Sequence, residues 1–164
     1  MFLPLKGQPA ACACLPVVVL DTNIVLDWLV FDQPDVAAVA HAITAGQVRW
    51  FASPAMRDEL AAVLARGTLA AWQPDAERIW RCWERWAATI EPSPSPEGGR
   101  LCCTDPDDQK FIDLAWQLRP CTLLSRDRAV LRLARRAQAV GLDIQTGAVW
   151  AKRQSMIAAG NPDA

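Results

Sequence analysis

Short apolar runs alternate along the chain with stretches in which apolar residues recur every three or four positions. The runs are typical of strands buried on both faces, and the longer stretches have the period of amphipathic helices. Predicted strands lie at 17–20, 48–52, 121–125 and 141–144, and predicted helices at 22–31, 36–44, 54–66, 75–89, 106–118, 128–139 and 148–159. This alternation predicts an α/β fold with a parallel sheet, right-handed crossovers and helices on both faces.

The first predicted strand ends abruptly on an acid, Asp21, in the sequence VVVLDTN at 17–23. In open α/β sheets the carboxyl ends of the strands are where ligands bind, so Asp21 is a candidate functional residue. The alternative is that Asp21 only caps the helix that begins at Thr22. An acid beside so apolar a strand needs a partner in either case, which favours the functional interpretation.

A second acid lies on the predicted helix 54–66, which starts with a serine cap and a proline. At about 100° per residue, Glu59 falls roughly 60° from the centre of the apolar stripe of Met56, Leu60 and Val63. Asp58 points nearly the opposite way, so of these two acids only Glu59 can face the protein interior. A surface position, with its stem covering apolar neighbours, is the alternative for Glu59.

Two further acids stand at predicted element boundaries. In the sequence TDPDD at 104–108, Asp105 has the position of a helix cap, which leaves Asp108 free to point from the first turn into a site. Asp127, like Asp21, lies just past a strand's carboxyl end. These positions place four carboxylates where they could converge on one crevice of the sheet.

Composition bounds the fold and excludes some chemistry. The 164 residues are 52% hydrophobic and 21% charged, which suits one domain with a sizeable core. With one histidine and no C-x-x-C spacing among six cysteines, a zinc site is disfavoured, and reduced thiols in a cytoplasmic protein are expected. The net charge is only -1, but several arginines are clustered near the fourth acid and could either bind phosphates or solvate a helix: Arg126, Arg128, Arg132, Arg135 and Arg136.

The expected organisation is an N-terminal extension at 1–15, a core domain at 16–150 and a C-terminal helix or tail at 151–164. The stretch 1–16 is apolar, but three prolines and Lys6 interrupt it and no basic segment precedes it, which disfavours a secretory signal. No segment has the length needed to span a membrane.

The four acids together indicate a specific chemistry. Four carboxylates cannot share a small volume as anions without a counter-charge. Oxygen-only ligands suit Mg²⁺ or Mn²⁺ rather than zinc, and such ions activate water and polarise phosphoryl oxygens. We therefore expect phosphodiester hydrolysis.

Four segments, LDTN at 20–23, the helix from Ser53 to Leu60, DPDDQKF at 105–111 and LSRD at 124–127, together resemble a PIN-domain protein of the branch of bacterial toxin–antitoxin pairs. The resemblance spans about 16–148. It implies a three-layer α/β/α sandwich with a central, mainly parallel sheet of four to five strands. It further implies a metal-dependent endoribonuclease of single-stranded RNA, a cognate antitoxin and self-association into dimers.

Carried over residue by residue, the resemblance implies a catalytic quartet with two polar supports and a set of metal ligands. The quartet is Asp21, Glu59, Asp108 and Asp127, the supports are Asn23 and Ser125, and the metal ligands are Asp21, Asp108 and Asp127. Glu59 would position or deprotonate the attacking water. Asp105 or Asp107 is the alternative third acid under a looser alignment. Arg126 and Arg128 would hold substrate phosphates or only neutralise the surface.

Two other functions remain open. A phosphohydrolase of the haloacid-dehalogenase kind would use Asp21 as a covalent nucleophile, but it needs a second aspartate where Asn23 stands. A catalytically silent PIN-like module would bind RNA or protein through the tryptophans and arginines of the helix at 75–89. That tryptophan stripe is otherwise interpreted as core.

Overall fold

The computed structural model describes residues 15–93 and 101–159. These residues form a five-stranded sheet in which every neighbouring pair is parallel, in the order β3-β2-β1-β4-β5. The strands are β1 (Val17–Leu20), β2 (Arg49–Ala52), β3 (Ala87–Thr89), β4 (Cys121–Leu124) and β5 (Leu142–Gln145). The predicted α/β/α architecture with a central parallel sheet is confirmed.

The helices fall between the strands, as the alternating pattern predicts. They are α1 (Thr22–Leu29), α2 (Ala37–Thr44), α3 (Pro54–Ala65), α4 (Ala76–Trp86), α5 (Gln109–Gln117), α6 (Arg128–Leu131), α7 (Ala134–Gln138) and α8 (Gly147–Ala159). The predicted ends of α2 and α3 are confirmed, since Gly46 and Gly67 follow them with φ of 69° and 71°. Left-handed backbone of this kind costs glycine little and stops the helix.

Burial of the central strand shows that both faces of the sheet are covered. The consecutive residues Val18, Val19 and Leu20 are 1%, 0% and 3% exposed. Because successive side chains of a strand point to opposite faces, apolar layers must lie on each side of β1.

The order of the strands creates a switch point between β1 and β4. From β1 the chain builds outward through β2 to β3, and then returns to add β4 and β5 on the other side of β1. The backbone N–H of Asp21 donates to the carbonyl of Leu124 at 3.0 Å, so the two strands stay paired to their carboxyl ends. Ligands of open α/β sheets bind at such a position.

The prediction of one helix over 75–89 is wrong at its end. Helix α4 stops at Trp86, and Ala87–Thr89 form β3, which pairs with β2 from Trp50 to Ala52. Two alanines and a threonine carry no local signal against a helix, but the outer edge of β2 would otherwise be left without backbone partners. Sheet pairing therefore overrides the local helical pattern.

The predicted single helix over 128–139 is also divided. Helix α6 ends at Leu131, and α7 begins at Ala134 after a tighter turn in which the N–H of Leu133 donates to the carbonyl of Val130 at 3.0 Å. Leu133 is buried at this turn. A smaller difference is a short 3-10 turn, Pro34–Val36, that precedes α2.

The tryptophans of α4 belong mainly to the core, which confirms the preferred interpretation of that stripe. Trp83 is buried, and its ring centroid lies 5.0 Å from that of Trp50 in an edge-to-face contact. Trp80 is partly buried, and the guanidinium carbon of Arg57 lies 4.6 Å from the centroid of its ring. The large exposed apolar side chains lie elsewhere, at Trp72, Val149, Met156 and Ile157.

Some predictions concern residues that are not described. The extension at 1–15 lies outside the described residues except for its last position, and so do the final five residues of the tail. None of the helices within 15–93 and 101–159 combines the length and hydropathy that a membrane crossing requires.

Candidate acidic active site

Asp21 lies at the switch point with its carboxylate almost completely buried. Its residue is 3% exposed, and its side chain accepts hydrogen bonds from neutral donors. The Ser125 hydroxyl donates to Oδ2 at 2.6 Å, Asn23 Nδ2 donates to Oδ2 at 2.9 Å, and the Asn23 N–H donates to Oδ1 at 3.4 Å. Asp21 is the N-terminal cap of α1, which was the alternative interpretation of this residue from the sequence. It also lies at the switch point, where a ligand would bind.

Burial raises the pKa of Asp21 above its ordinary value, and the nearby charge of Glu59 adds to the effect. The hydrogen bonds from Ser125 and Asn23 oppose it. No described lysine or arginine forms an ion pair with this carboxylate. The Asp21 carboxylate is therefore held in place by neutral donors, without an ion-pair partner among the described lysines and arginines.

Ser125 and Asn23 join the ends of β1 and β4 into one hydrogen-bonded unit. Besides its bond to Asp21, the Ser125 oxygen accepts from the N–H of Asp127 at 2.9 Å. Asn23 Oδ1 accepts from the N–H of Arg126 at 3.1 Å. Because Ser125 is completely buried, this unit fixes the two aspartates relative to each other.

Asp127 caps the next helix and is less buried than Asp21. Its Oδ1 accepts from the N–H of Ala129 at 2.6 Å, at the start of α6. The symmetry with Asp21 is clear, because each acid follows a parallel strand, caps a helix and contacts the Ser125 hydroxyl group. The structure brings both to the same crevice.

Asp108 enters the same crevice from the turn before α5. Asp105 caps that turn, with its Oδ1 accepting from the Asp107 N–H at 2.9 Å, as the sequence predicts. The pKa of Asp108 is raised to about 6, chiefly by burial and then by the negative charges of Asp21, Asp127, Asp105 and Glu59, in that order. Asp108 is thus close enough to the other acids to be influenced by their charge.

Glu59 lies on α3 and is half-buried, whereas Asp58 is exposed, as the helical projection predicts. The Glu59 carboxylate forms an ion pair with Lys110, whose ammonium group also donates to the backbone carbonyl of Asp107. Lys110 was not among the residues predicted for the site. The available signal was its rarity, since the chain has only three lysines and this one follows the acidic turn directly.

A second missed residue changes the expected role of an arginine. Asp27 lies on α1 with its side chain 4% exposed, and its Oδ2 is 2.9 Å from Nε of Arg126. Burial raises the pKa of Asp27, while the charge of Arg126 lowers it. An acid within the apolar pattern of α1 was the available signal. Arg126 is thus committed to Asp27, whereas Arg128 is exposed at the start of α6.

The acids are not closed around an ion as they stand. Within the described part of the chain, no three histidine, cysteine, aspartate or glutamate side chains are grouped tightly enough to hold a metal. The donor chemistry nevertheless fits a hard divalent cation, because Asp21, Asp108 and Asp127 offer only carboxylate oxygens and their negative charges are not paired. Binding would require these side chains to move closer together.

The fold and crevice define an α/β/α protein with an acidic centre at the switch point of a parallel sheet. The chain belongs to the PIN-domain family, whose sequence pattern matches residues 17–129. Members of this family are generally nucleases that act on nucleic acid with the help of divalent metals. No curated protein gives a significant match to the chain.

Proposed function

We propose that this protein is a metal-dependent endoribonuclease that hydrolyses phosphodiester bonds of single-stranded RNA. The observation that carries the proposal is the un-neutralised carboxylate of Asp21, buried at the switch point and tied through Ser125 to Asp127. A buried anion without a cation is costly, and a site that binds a cation from solution accounts for it.

Asp21, Asp108 and Asp127 would hold Mg²⁺ or Mn²⁺. When bound, such an ion supplies an activated water and stabilises charge on the phosphoryl oxygens. Ser125 and Asn23 keep the Asp21 carboxylate in one orientation through the bonds of 2.6 Å and 2.9 Å. Fixing Asp21 before the ion arrives leaves fewer ligands to be brought into place, which lowers the cost of assembling the site.

Glu59 would orient the attacking water from the α3 side of the crevice, with its own position fixed by Lys110. Arg128, exposed at the start of α6, would hold a substrate phosphate beside Asp127. Arg126 contributes less directly, because its guanidinium group pairs with Asp27. A single strand suits the crevice, since a flexible chain can bring one phosphate to an acid that is 3% exposed.

We further propose that the enzyme acts in the cytoplasm as the toxin of a toxin–antitoxin pair. The resemblance of the four acidic segments to such toxins supports this role. An antitoxin would cover the crevice, and the apolar side chains exposed at Trp72, Met156 and Ile157 offer surfaces for it or for a second copy of the chain. Growth arrest on expression, relieved by the product of an adjacent small reading frame, would support the role.

The activity is tested with the purified chain and end-labelled oligonucleotides of one sequence, as single-stranded RNA, duplex RNA and single-stranded DNA. We expect internal cleavage of the single-stranded RNA with Mg²⁺ or Mn²⁺, and loss of cleavage with a chelator or in Asp108→Asn. Asp58→Asn, which changes an exposed acid on α3, is the matched control. Binding of RNA without cleavage at any metal concentration would instead indicate a silent binding module.

A further inference from the structure

We propose that Lys110 is a resident counter-ion of the acidic centre and limits it to one divalent cation. The inference rests on the proposed metal site and specifies how many ions that site takes. In it, Glu59 is neutralised by the chain itself, and only Asp21, Asp108 and Asp127 are left for an ion from solution.

The position of Lys110 carries the first step. It lies in the first turn of α5, immediately after the acidic turn, and its ammonium group contacts both the Glu59 carboxylate on α3 and the carbonyl of Asp107. The Lys110 and Glu59 side chains are only 23% and 29% exposed. Its ammonium also lies 4.9 Å from the ring centroid of Phe111. These contacts fix the Lys110 charge beside the Glu59 carboxylate instead of leaving it in solvent.

The four proposed catalytic acids differ in whether a positive side chain is paired with them. Of the four proposed catalytic acids, Glu59 is the one that forms an ion pair with a described lysine or arginine. Asp21, Asp108 and Asp127 form none with the described residues, and the charges of Asp21 and Asp127 both act on Asp108. The acids are therefore divided into Glu59, which forms an ion pair with Lys110, and the trio of Asp21, Asp108 and Asp127, which has no ion-pair partner among the described residues.

The pairing of Glu59 with Lys110 limits the number of divalent cations that the acidic site can bind. A second divalent ion would need further carboxylate oxygens, and of the four proposed catalytic acids Glu59 is the one that remains after the trio is used. An ammonium beside Glu59 occupies that carboxylate and repels another cation over a few ångströms. Removal of the Lys110 charge should then strengthen divalent binding by about tenfold or admit a second ion.

The test measures Mn²⁺ binding without RNA, by calorimetry for affinity and by electron paramagnetic resonance of free Mn²⁺ for the number of ions. We expect one Mn²⁺ per wild-type chain, and in Lys110→Met either about tenfold tighter binding or a second ion. Lys110→Gln, which also removes the charge but keeps a polar side chain, replaces the methionine variant if that variant does not fold, and Lys110→Arg, which keeps the charge, should behave like the wild type. Lys152→Met, at an exposed lysine of α8, is the matched control.

The outcomes separate this inference from the proposed activity. Two Mn²⁺ ions in the wild type, or Lys110→Met indistinguishable from Lys152→Met, would overturn the role of Lys110 while leaving a ribonuclease intact. One ion with the expected response of Lys110→Met, but no cleavage of any RNA, would overturn the ribonuclease and support the counter-ion. Absence of Mn²⁺ binding in every variant would overturn both.

Discussion

Two buried aspartates lie six positions apart near the start of the chain, and they are held in different ways. Asp21 and Asp27 are each 3% exposed, and burial raises the pKa of both. Asp21 receives hydrogen bonds from neutral groups of Ser125 and Asn23, whereas Asp27 forms an ion pair with Arg126. One charge is oriented and left unpaired, and the other is balanced by the chain.

The difference separates functional from structural carboxylates better than burial does. A balanced acid such as Asp27 supports the packing of α1 against the loop after β4 and has little affinity left for a cation. An oriented but unbalanced acid is unfavourable unless something binds it. By the same criterion, Glu59, which pairs with Lys110, is suited to orient water and not to bind the ion, whereas Asp108 is a candidate metal ligand like Asp21.

The largest expected effect is the difference in RNA cleavage rate between a variant that neutralises Asp21 and one that neutralises Asp27. Asp21→Asn should lower single-turnover RNA cleavage by at least about 10³-fold, since a lost metal ligand removes several kcal/mol of transition-state stabilisation. Asp27→Asn should change the rate by less than about tenfold, because its partner is a protein arginine. Rates at saturating Mn²⁺, with folding checked by circular dichroism, give the comparison. Equal losses in the two variants would contradict the distinction.

The next effect tests whether orientation of Asp21 matters as much as its charge. Ser125→Ala removes the 2.6 Å donor to Asp21 and the acceptor of the Asp127 N–H. Loss of such a support typically costs about 10- to 100-fold in metal affinity or activity. Mn²⁺ titration by calorimetry measures it, and Ser155→Ala, an exposed hydroxyl bonded within α8, is the control. Unchanged Mn²⁺ affinity would mean that Asp21 needs no such support.

The architecture was predictable from the sequence where the pattern of apolar residues matches the burial of the element. The runs at 17–20 and 121–125 are mainly apolar and end at polar residues, so they could be assigned to buried strands before their pairing was known. Strand β3 was not predictable, because Ala87 and Ala88 suit a helix and only the free edge of β2 selects them. Long-range pairing of this kind leaves no mark in local sequence.

The candidate site was predictable to the extent that it follows element ends. Asp21 and Asp127 follow strands, and Asp108 opens a helix, so their convergence follows from the topology. Lys110 and Asp27 could not be assigned, because their partners Glu59 and Arg126 come from distant parts of the chain. Sequence therefore indicates where charge accumulates, and structure shows which of it is already compensated.

Removal of the Arg126 side chain should have a smaller effect, which appears in the free energy of unfolding. Arg126→Ala leaves the buried Asp27 charge unpaired and should lower the free energy of unfolding by about 1–2 kcal/mol, reduced from a fully buried pair because Arg126 is 56% exposed. Adding Asp27→Asn to that variant should recover part of the loss. Urea unfolding measures both, with Arg128→Ala as the control. No recovery in the double variant would mean that the pair is not the cause.

The smallest effect is the pH dependence that Asp27 contributes in metal-free protein. Its pKa is raised in the folded state, chiefly by burial, so protonation favours folding. Its stabilising contribution is complete below the unfolded pKa near 4 and is lost as the pH rises through the higher folded pKa. The difference in unfolding free energy between wild type and Asp27→Asn should therefore shift against the wild type between pH 4 and 7. Urea unfolding across that range measures it, and a shift in favour of the wild type would show that Arg126 outweighs burial.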